Sequence, residues 1–248
     1  SENRPRQTEF TRRESVRTTF NLPRVNRLKD IPFMLSAPLD RPLKLGVLIS
    51  GGGTTLKNLI AVRDAGQLDI EVPLVIASRE DCGGVTWSRD QGIEVQVISR
   101  GHYPNTEAFS EALFQSLRNA NVDLVTLAGF LSLIQVPDDF LGRVMNIHPS
   151  LIPAFCGQGY YGHKVHEAVI ERGGKVSGCT VHFADNEYDH GPIIIQRAVP
   201  VLETDDEDSL SDRILKHEHQ IYPLALKIVC EDRYRIEGRR VSTCLEID

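Results

Sequence analysis

The chain has 248 residues, 41% of them hydrophobic, which suits one large domain or a domain with an appendage. Its formal net charge of −6, from 28 basic and 34 acidic residues, argues against nucleic acid or an anionic membrane as the main partner. No apolar run is long enough to cross a bilayer, and the polar amino-terminal stretch predicts no secretory signal.

Residues 1–42 differ from the rest. The stretch SENRPRQTEFTRRESVRTTFNLPRVNRLKD carries seven Arg and one Lys against four acids, with few apolar residues. It reads as a basic arm outside the domain, solvated or wrapped on a partner, and SAPLDRP as a linker to it. From 43 onward the pattern is regular. LKLGVLIS (43–50) predicts a strand that ends at Gly51-Gly52-Gly53, and TTLKNLIAVRDAG (54–66) a helix. A strand is expected at 71–78, a short helix at 82–92 and a strand at 94–99. A helix follows at 105–121, capped by Asn105 or Thr106, then strands at 122–129 and 142–150. This alternation implies βαβ units and a mostly parallel, doubly wound, Rossmann-like sheet covered on both faces.

After Pro153 the rhythm changes. GHKVHEAVIERGG (162–174) is helical. The long apolar runs at 175–185 and 191–202 predict an antiparallel pair added to the parallel sheet. Residues 206–232 predict a long helix with a candidate break at Pro223, and YRIEGRRVST a final strand. The division expected is an arm over 1–42 and one domain over 43–248. Cys82, Cys156, Cys179, Cys230 and Cys244 form no CxxC pair and are odd in number. Reduced cysteines in a cytoplasmic protein, with no structural metal, are expected.

Three places suit chemistry. Ser50 to Thr55 joins a strand to a helix. There glycines such as Gly52 and Gly53 allow close backbone approach to an anion, Thr54 and Thr55 add hydroxyls, and Lys57 follows. Neither GxxxxGK[ST] nor GxGxxG is present, so a single phosphate fits better than a dinucleotide; a plain tight turn is the alternative. Asn146 and His148, in NIHPSLIPAF, project the same way from the end of the fifth parallel strand, into the crevice where such sheets bind ligands. Asn can stabilise an oxyanion and His can move a proton, although a His at a strand end is often structural. Asp189, in NEYDHGP, would raise the imidazole pKa and fix its tautomer if its loop folds over the sheet end; otherwise it is an ordinary turn residue. A metal on His163, His166 and His182 lacks a completing ligand, no GxSxG is present, and Cys156 has no evident base.

Taken together, GVLISGGGTTLKNLI, LVTLAGFLSLI, NIHPSLIPAF, SGCTVHFADNEYDHGPIIIQRAVPV and KHEHQIYPLAL resemble, in this order, the glycinamide ribonucleotide formyltransferase family. That family consists of folate-dependent enzymes of purine synthesis. The resemblance runs from Leu43 to Val241, about four-fifths of the chain. It implies the formyltransferase fold and transfer of a formyl group from 10-formyltetrahydrofolate, the co-substrate, to the amine of glycinamide ribonucleotide, without a metal. It implies a catalytic set of Asn146, His148 and Asp189, and a nucleotide site at Gly52, Gly53, Thr54, Thr55 and Glu218. The folate site would comprise Leu131, Ser132, Leu133, Ile134, His182, Ala184, Asp185, Asn186 and Glu187. A homodimer, with the arm on the partner subunit, is a further expectation.

The sequence also departs from the family. Thr54-Thr55 replaces Ser-Asn, Thr106 and Ser132 stand where arginines meet the folate tail, and Leu215 replaces a polar phosphate contact. Chemistry is therefore better specified than the acceptor. A formyltetrahydrofolate hydrolase, a formyltransferase for another amine, and a binding module without turnover are the alternatives. The hydrolase family tends to carry His at the position of Pro149 and an amino-terminal regulatory domain larger than 42 residues.

Overall fold

The computed structural model describes residues 39–231 and 233–243; the expectations for the arm and its linker fall almost entirely outside them. The first strand, β1 (Leu43–Ile49), leads through the glycines into α1 (Thr54–Asp64). Then come β2 (Ile70–Ala77), α2 (Gly83–Asp90), β3 (Val95–Val97), α3 (Thr106–Asn119), β4 (Leu124–Leu127) and β5 (Val144–His148). The second part holds α4 (His163–Glu171), β6 (Val176–Phe183), β7 (Ile193–Pro200), α5 (Glu207–Cys230), β8 (Tyr234–Glu237) and β9 (Arg240–Thr243).

One sheet contains all nine described strands in the order β3-β2-β1-β4-β5-β6-β7-β9-β8. The pairs from β3 to β5 are parallel, whereas β5–β6 and β6–β7 are antiparallel. Strand alternation explains the two layers. On β1 and β2, Val47, Ile49, Val75 and Ala77 pack with α1, α2, α4 and α5, while Leu48, Leu74 and Ile76 pack with α3 on the opposite face. Asn105 caps α3 by accepting the Ala108 N–H at 2.8 Å, one of the two caps expected from sequence.

Two sequence expectations are corrected. The segment 234–243 is two strands: Gly238 adopts φ 60 and lets β8 turn back as the antiparallel β9. Pro223 does not break α5, which runs unbroken through it. Proline removes the N–H that would pair with the carbonyl four residues back, that of His219. That carbonyl instead accepts a hydrogen bond from Asn58 Nδ2 on α1 at 2.8 Å. The helix survives because a neighbouring helix supplies the missing donor, and the two helices are thereby joined. Several strands are also shorter than expected by one or two residues at an end; β5 stops at His148 because it meets the turn that starts at Pro149.

Asn58→Ala should lower the unfolding free energy by about 1–3 kcal/mol, the cost of a buried carbonyl left unpaired. Denaturant titration should show a much smaller loss in the Pro223→Ala background, where the helix supplies its own N–H. Equal losses in both backgrounds would refute this account.

Candidate active site

The carboxyl ends of β1, β4 and β5 open into a cleft of about 600 Å³, within the size range of small-molecule sites. Its lining includes the glycine loop 51–55, residues 127–134, Asn146, His148, the 157–162 loop, His166, His182 and much of 184–189, with Leu215 and Glu218 from α5. The structure therefore gathers nearly every residue singled out from sequence. Asn186 is the exception: its Oδ1 accepts the Val136 N–H at 2.7 Å and it lines a smaller neighbouring depression. Lys57 lies over the Trp87 ring at 5.7 Å and is not among the lining residues. Among the described residues the lining contains no Lys or Arg side chain.

Gly53 caps α1 with φ 70 and no side-chain cap, and the first turn of α1 carries no acid. The N–H groups of Thr54, Thr55 and Leu56 precede the first intrahelical bond, Lys57 N–H to the Gly53 carbonyl at 2.9 Å. Such N–H groups at a helix start can receive an anion through the backbone. A Cβ on Gly84 would lie 2.5 Å from Ile49 and 3.1 Å from the Gly51 carbonyl, so this glycine lets α2 pack against the loop. Ser50 fixes the strand end: its hydroxyl oxygen accepts from Ser78 Oγ at 2.8 Å and from the Leu131 N–H at 3.1 Å.

Asn146 and His148 lie two apart on β5 and share a face, with His182 directly opposite Asn146 in the antiparallel register. His182 Nδ1 donates to the Phe183 carbonyl at 2.8 Å, and its Nε2 lies 3.2 Å from Asn146 Nδ2. The second Nδ2–H points to Asp189 Oδ1 at 3.4 Å, a long contact that a better acceptor can replace. His148 Nε2 donates to the Phe155 carbonyl at 2.8 Å, leaving Nδ1 to face Asp189 Oδ2 at 3.5 Å.

Asp189 itself sits at φ 51, in the left-handed region, and its Oδ2 accepts the Gly157 N–H at 2.9 Å. Burial pushes its pKa up, but His182, His148 and the Gly157 N–H together bring it below the usual carboxylate range. Burial lowers the His148 pKa, and Asp189 and the Phe155 carbonyl only partly oppose this. At neutral pH the pair is thus a carboxylate beside a neutral imidazole with a free Nδ1 lone pair. His148 is only 3% exposed, yet its ring is part of the cleft wall.

His166 gains an importance that sequence alone did not give it, and Glu218, implied by the resemblance, gains a physical setting. His166 is 3% exposed and lines the cleft with Nδ1 buried and unpartnered; burial, then His163 and His148, lowers its pKa to about 4. No spacing rule marks a helix histidine as facing a strand histidine. Among the described residues Glu218 has no hydrogen bond or ion pair, and burial pushes its pKa up to about 7. The thiol of Cys156 is raised by burial and by Asp189, which keeps it protonated and unsuited to act as a nucleophile. His163 is exposed, its ring 6.3 Å from that of His166, and among the described residues no cluster is arranged to hold a metal. Nor does any described helix have the length and apolarity to cross a membrane.

The chain is similar to known proteins in sequence and in fold. A family model described as formyl transferase matches residues 43–226. The chain is 41% identical over 195 residues to a chloroplastic phosphoribosylglycinamide formyltransferase of Vigna unguiculata, covering 78% of this chain and 62% of that one. It is 42% identical over 194 residues to the trifunctional purine biosynthetic protein adenosine-3 of Drosophila melanogaster, covering 77% of this chain but 14% of that one. A crystal structure of glycinamide ribonucleotide transformylase 1 from Symbiobacterium toebii superposes with a TM-score of 0.76 at 41% identity, covering 83% and 95% of the two chains. A formyltetrahydrofolate deformylase from Pseudomonas syringae, at 21% identity and a TM-score of 0.73, shares the fold.

Between the usual histidine pKa and about 4, an unfolded His166 binds a proton that the folded one excludes, so stability falls as pH drops through that window. His166→Leu should remove up to about 3 kcal/mol of that acid-side slope while leaving stability at pH 7 nearly unchanged. Unfolding free energies measured from pH 7 to 4.5 test this, and an unaltered slope would show that His166 is not the group responsible.

Proposed function

Because the chain belongs to the formyl transferase family, we propose that it transfers a formyl group from 10-formyltetrahydrofolate to the amine of glycinamide ribonucleotide, a step of purine biosynthesis. The observation that carries this reading is the meeting of Asn146, His148 and Asp189 in the wall of a cleft with two differently furnished ends. One end has the backbone anion cradle and Glu218, suited to the phosphate and hydroxyls of a nucleotide. The other has the 131–134 segment and the loop from Ala184 to Asp189, suited to a flat heterocycle bound through main-chain groups.

The chemistry follows from the proton inventory. Asn146 offers its second Nδ2–H to the formyl oxygen, where negative charge grows as the amine attacks. The π pair of the formyl carbonyl moves to that oxygen and the attacking nitrogen becomes cationic. His148 Nδ1, its lone pair free, takes a proton from that nitrogen, and Asp189 stabilises the imidazolium so formed. The oxyanion then re-forms the carbonyl, the bond to folate N10 breaks, and N10 leaves with the proton that His148 returns. The enzyme forms no covalent bond to the formyl group; it orients two substrates and stabilises charge. Glu218, held near neutrality by burial, is an acceptor or donor for a ribose hydroxyl. The four described cysteines are free, which supports work in a reducing compartment such as the cytoplasm.

Formyl release from 10-formyltetrahydrofolate should depend on added glycinamide ribonucleotide. Release without an acceptor would instead indicate a hydrolase, and no release a binding module. Asp189→Asn should keep the fold and lower kcat by roughly 10²–10⁴-fold, the usual span for general acid–base groups. Turnover near that of the parent chain would remove Asp189 from the mechanism.

A further inference from the structure

The loop that carries Asp189 makes a second set of polar contacts, separate from the cleft trio. The Glu187 N–H donates to Asp185 Oδ1 at 2.9 Å, and His190 Nδ1 lies 2.8 Å from Asp185 Oδ2. Arg239, in the turn between β8 and β9, reaches the same histidine twice: Nη1 contacts His190 Nε2, and Nη2 donates to the His190 carbonyl. The roles are forced. A carboxylate cannot donate, so Nδ1 carries the hydrogen; a guanidinium cannot accept, so Nε2 is a lone pair. The His190 ring therefore completes a carboxylate–imidazole–guanidinium chain from the loop to the hairpin.

Its position gives it consequence. His190 directly follows Asp189, whose φ of 51 lies in the left-handed region that residues with a Cβ seldom adopt. Something must hold the backbone there, and the Gly157 N–H holds only the side chain. Among the described residues β9 joins the sheet through one pairing, Ile193 with Arg240, so Arg239 stands at the hairpin's junction with the sheet. The hairpin lies beyond the residues matched by the family model.

We propose that Asp185, His190 and Arg239 form a clip by which the β8–β9 hairpin holds the Asp189 loop in its working conformation, so that His190 and Arg239 are positioning residues for formyl transfer. This rests on the role given to Asp189 above, and its test therefore includes a readout that needs no turnover. Full-length Arg239→Ala, His190→Ala, His190→Gln and the double alanine variant would be compared by amide hydrogen exchange and by kinetics.

In Arg239→Ala, exchange across 184–192, the Glu187 amide included, should quicken about tenfold, with β1 and β4 unchanged. Its kcat should fall about tenfold to a hundredfold, as expected of a small misplacement, while KM for glycinamide ribonucleotide stays within about twofold because the anion cradle is remote from the clip. The double variant should be no slower than the worse single one, since each break severs the same chain. His190→Gln, whose amide can donate to Asp185 and accept from Arg239, should recover most of the loss. Unaltered exchange at 184–192, quickened exchange with undiminished kcat, or additive losses would each overturn the clip. If the parent chain does not formylate glycinamide ribonucleotide, the functional reading fails while exchange still decides whether the clip exists.

Discussion

One carboxylate organises the site. Asp189 touches the 157 loop through the Gly157 N–H, β5 through Asn146 and His148, and β6 through His182. Each contact is polar, largely shielded from water and directed at an atom whose role is already fixed elsewhere. His182 is fixed by the Phe183 carbonyl and His148 by the Phe155 carbonyl. Asp189 can serve all of them only because its backbone enters the left-handed region and folds the loop back along β5. Remove its charge and the imidazole loses the partner that favours its protonated form, while the Asn146 amide loses one of its two anchors.

Among the described residues the cleft is lined by Asp185, Glu187, Asp189 and Glu218, three histidines, and no lysine or arginine. A phosphate would be met by the unpaired N–H groups of α1 and by threonine hydroxyls, whose dipoles do not compete with Asp189 for an ion pair. A lysine placed among these acids would neutralise the carboxylate on which His148 depends. Burial works in the same direction, holding His148 and His166 neutral, so that only a reacting substrate supplies the proton the site handles.

Much of this was legible in the residues because it depends on local pattern. The apolar strands, the glycines after β1, the Asn105 cap and the paired positions of Asn146 and His148 all follow from spacing of one to four residues. What spacing could not supply was partnership across the chain. Nothing near Asp189 in sequence names His148, and nothing near Asn146 names His182; antiparallel register makes that second contact. Pro223 misled because the rule that proline breaks helices assumes an unmet carbonyl, and Asn58, distant in sequence, meets it. The hairpin at 234–243 was read as one strand because Gly238 was the only sign of a turn. The contacts of Arg239 then had no place in the sequence reading at all.

That bond between Asn58 and the His219 carbonyl reaches beyond helix stability. Asn58 lies one turn into the helix whose first residues cradle an anion, and His219 is the immediate neighbour of Glu218. In the function proposed above, the two ends of the acceptor subsite would thus be mounted on separate helices whose spacing is pinned at a point between them. The scaffold would then act as a gauge: a molecule held at its phosphate and at its far hydroxyls would have to match a length that proline, by vacating one hydrogen bond, allowed a neighbouring side chain to set.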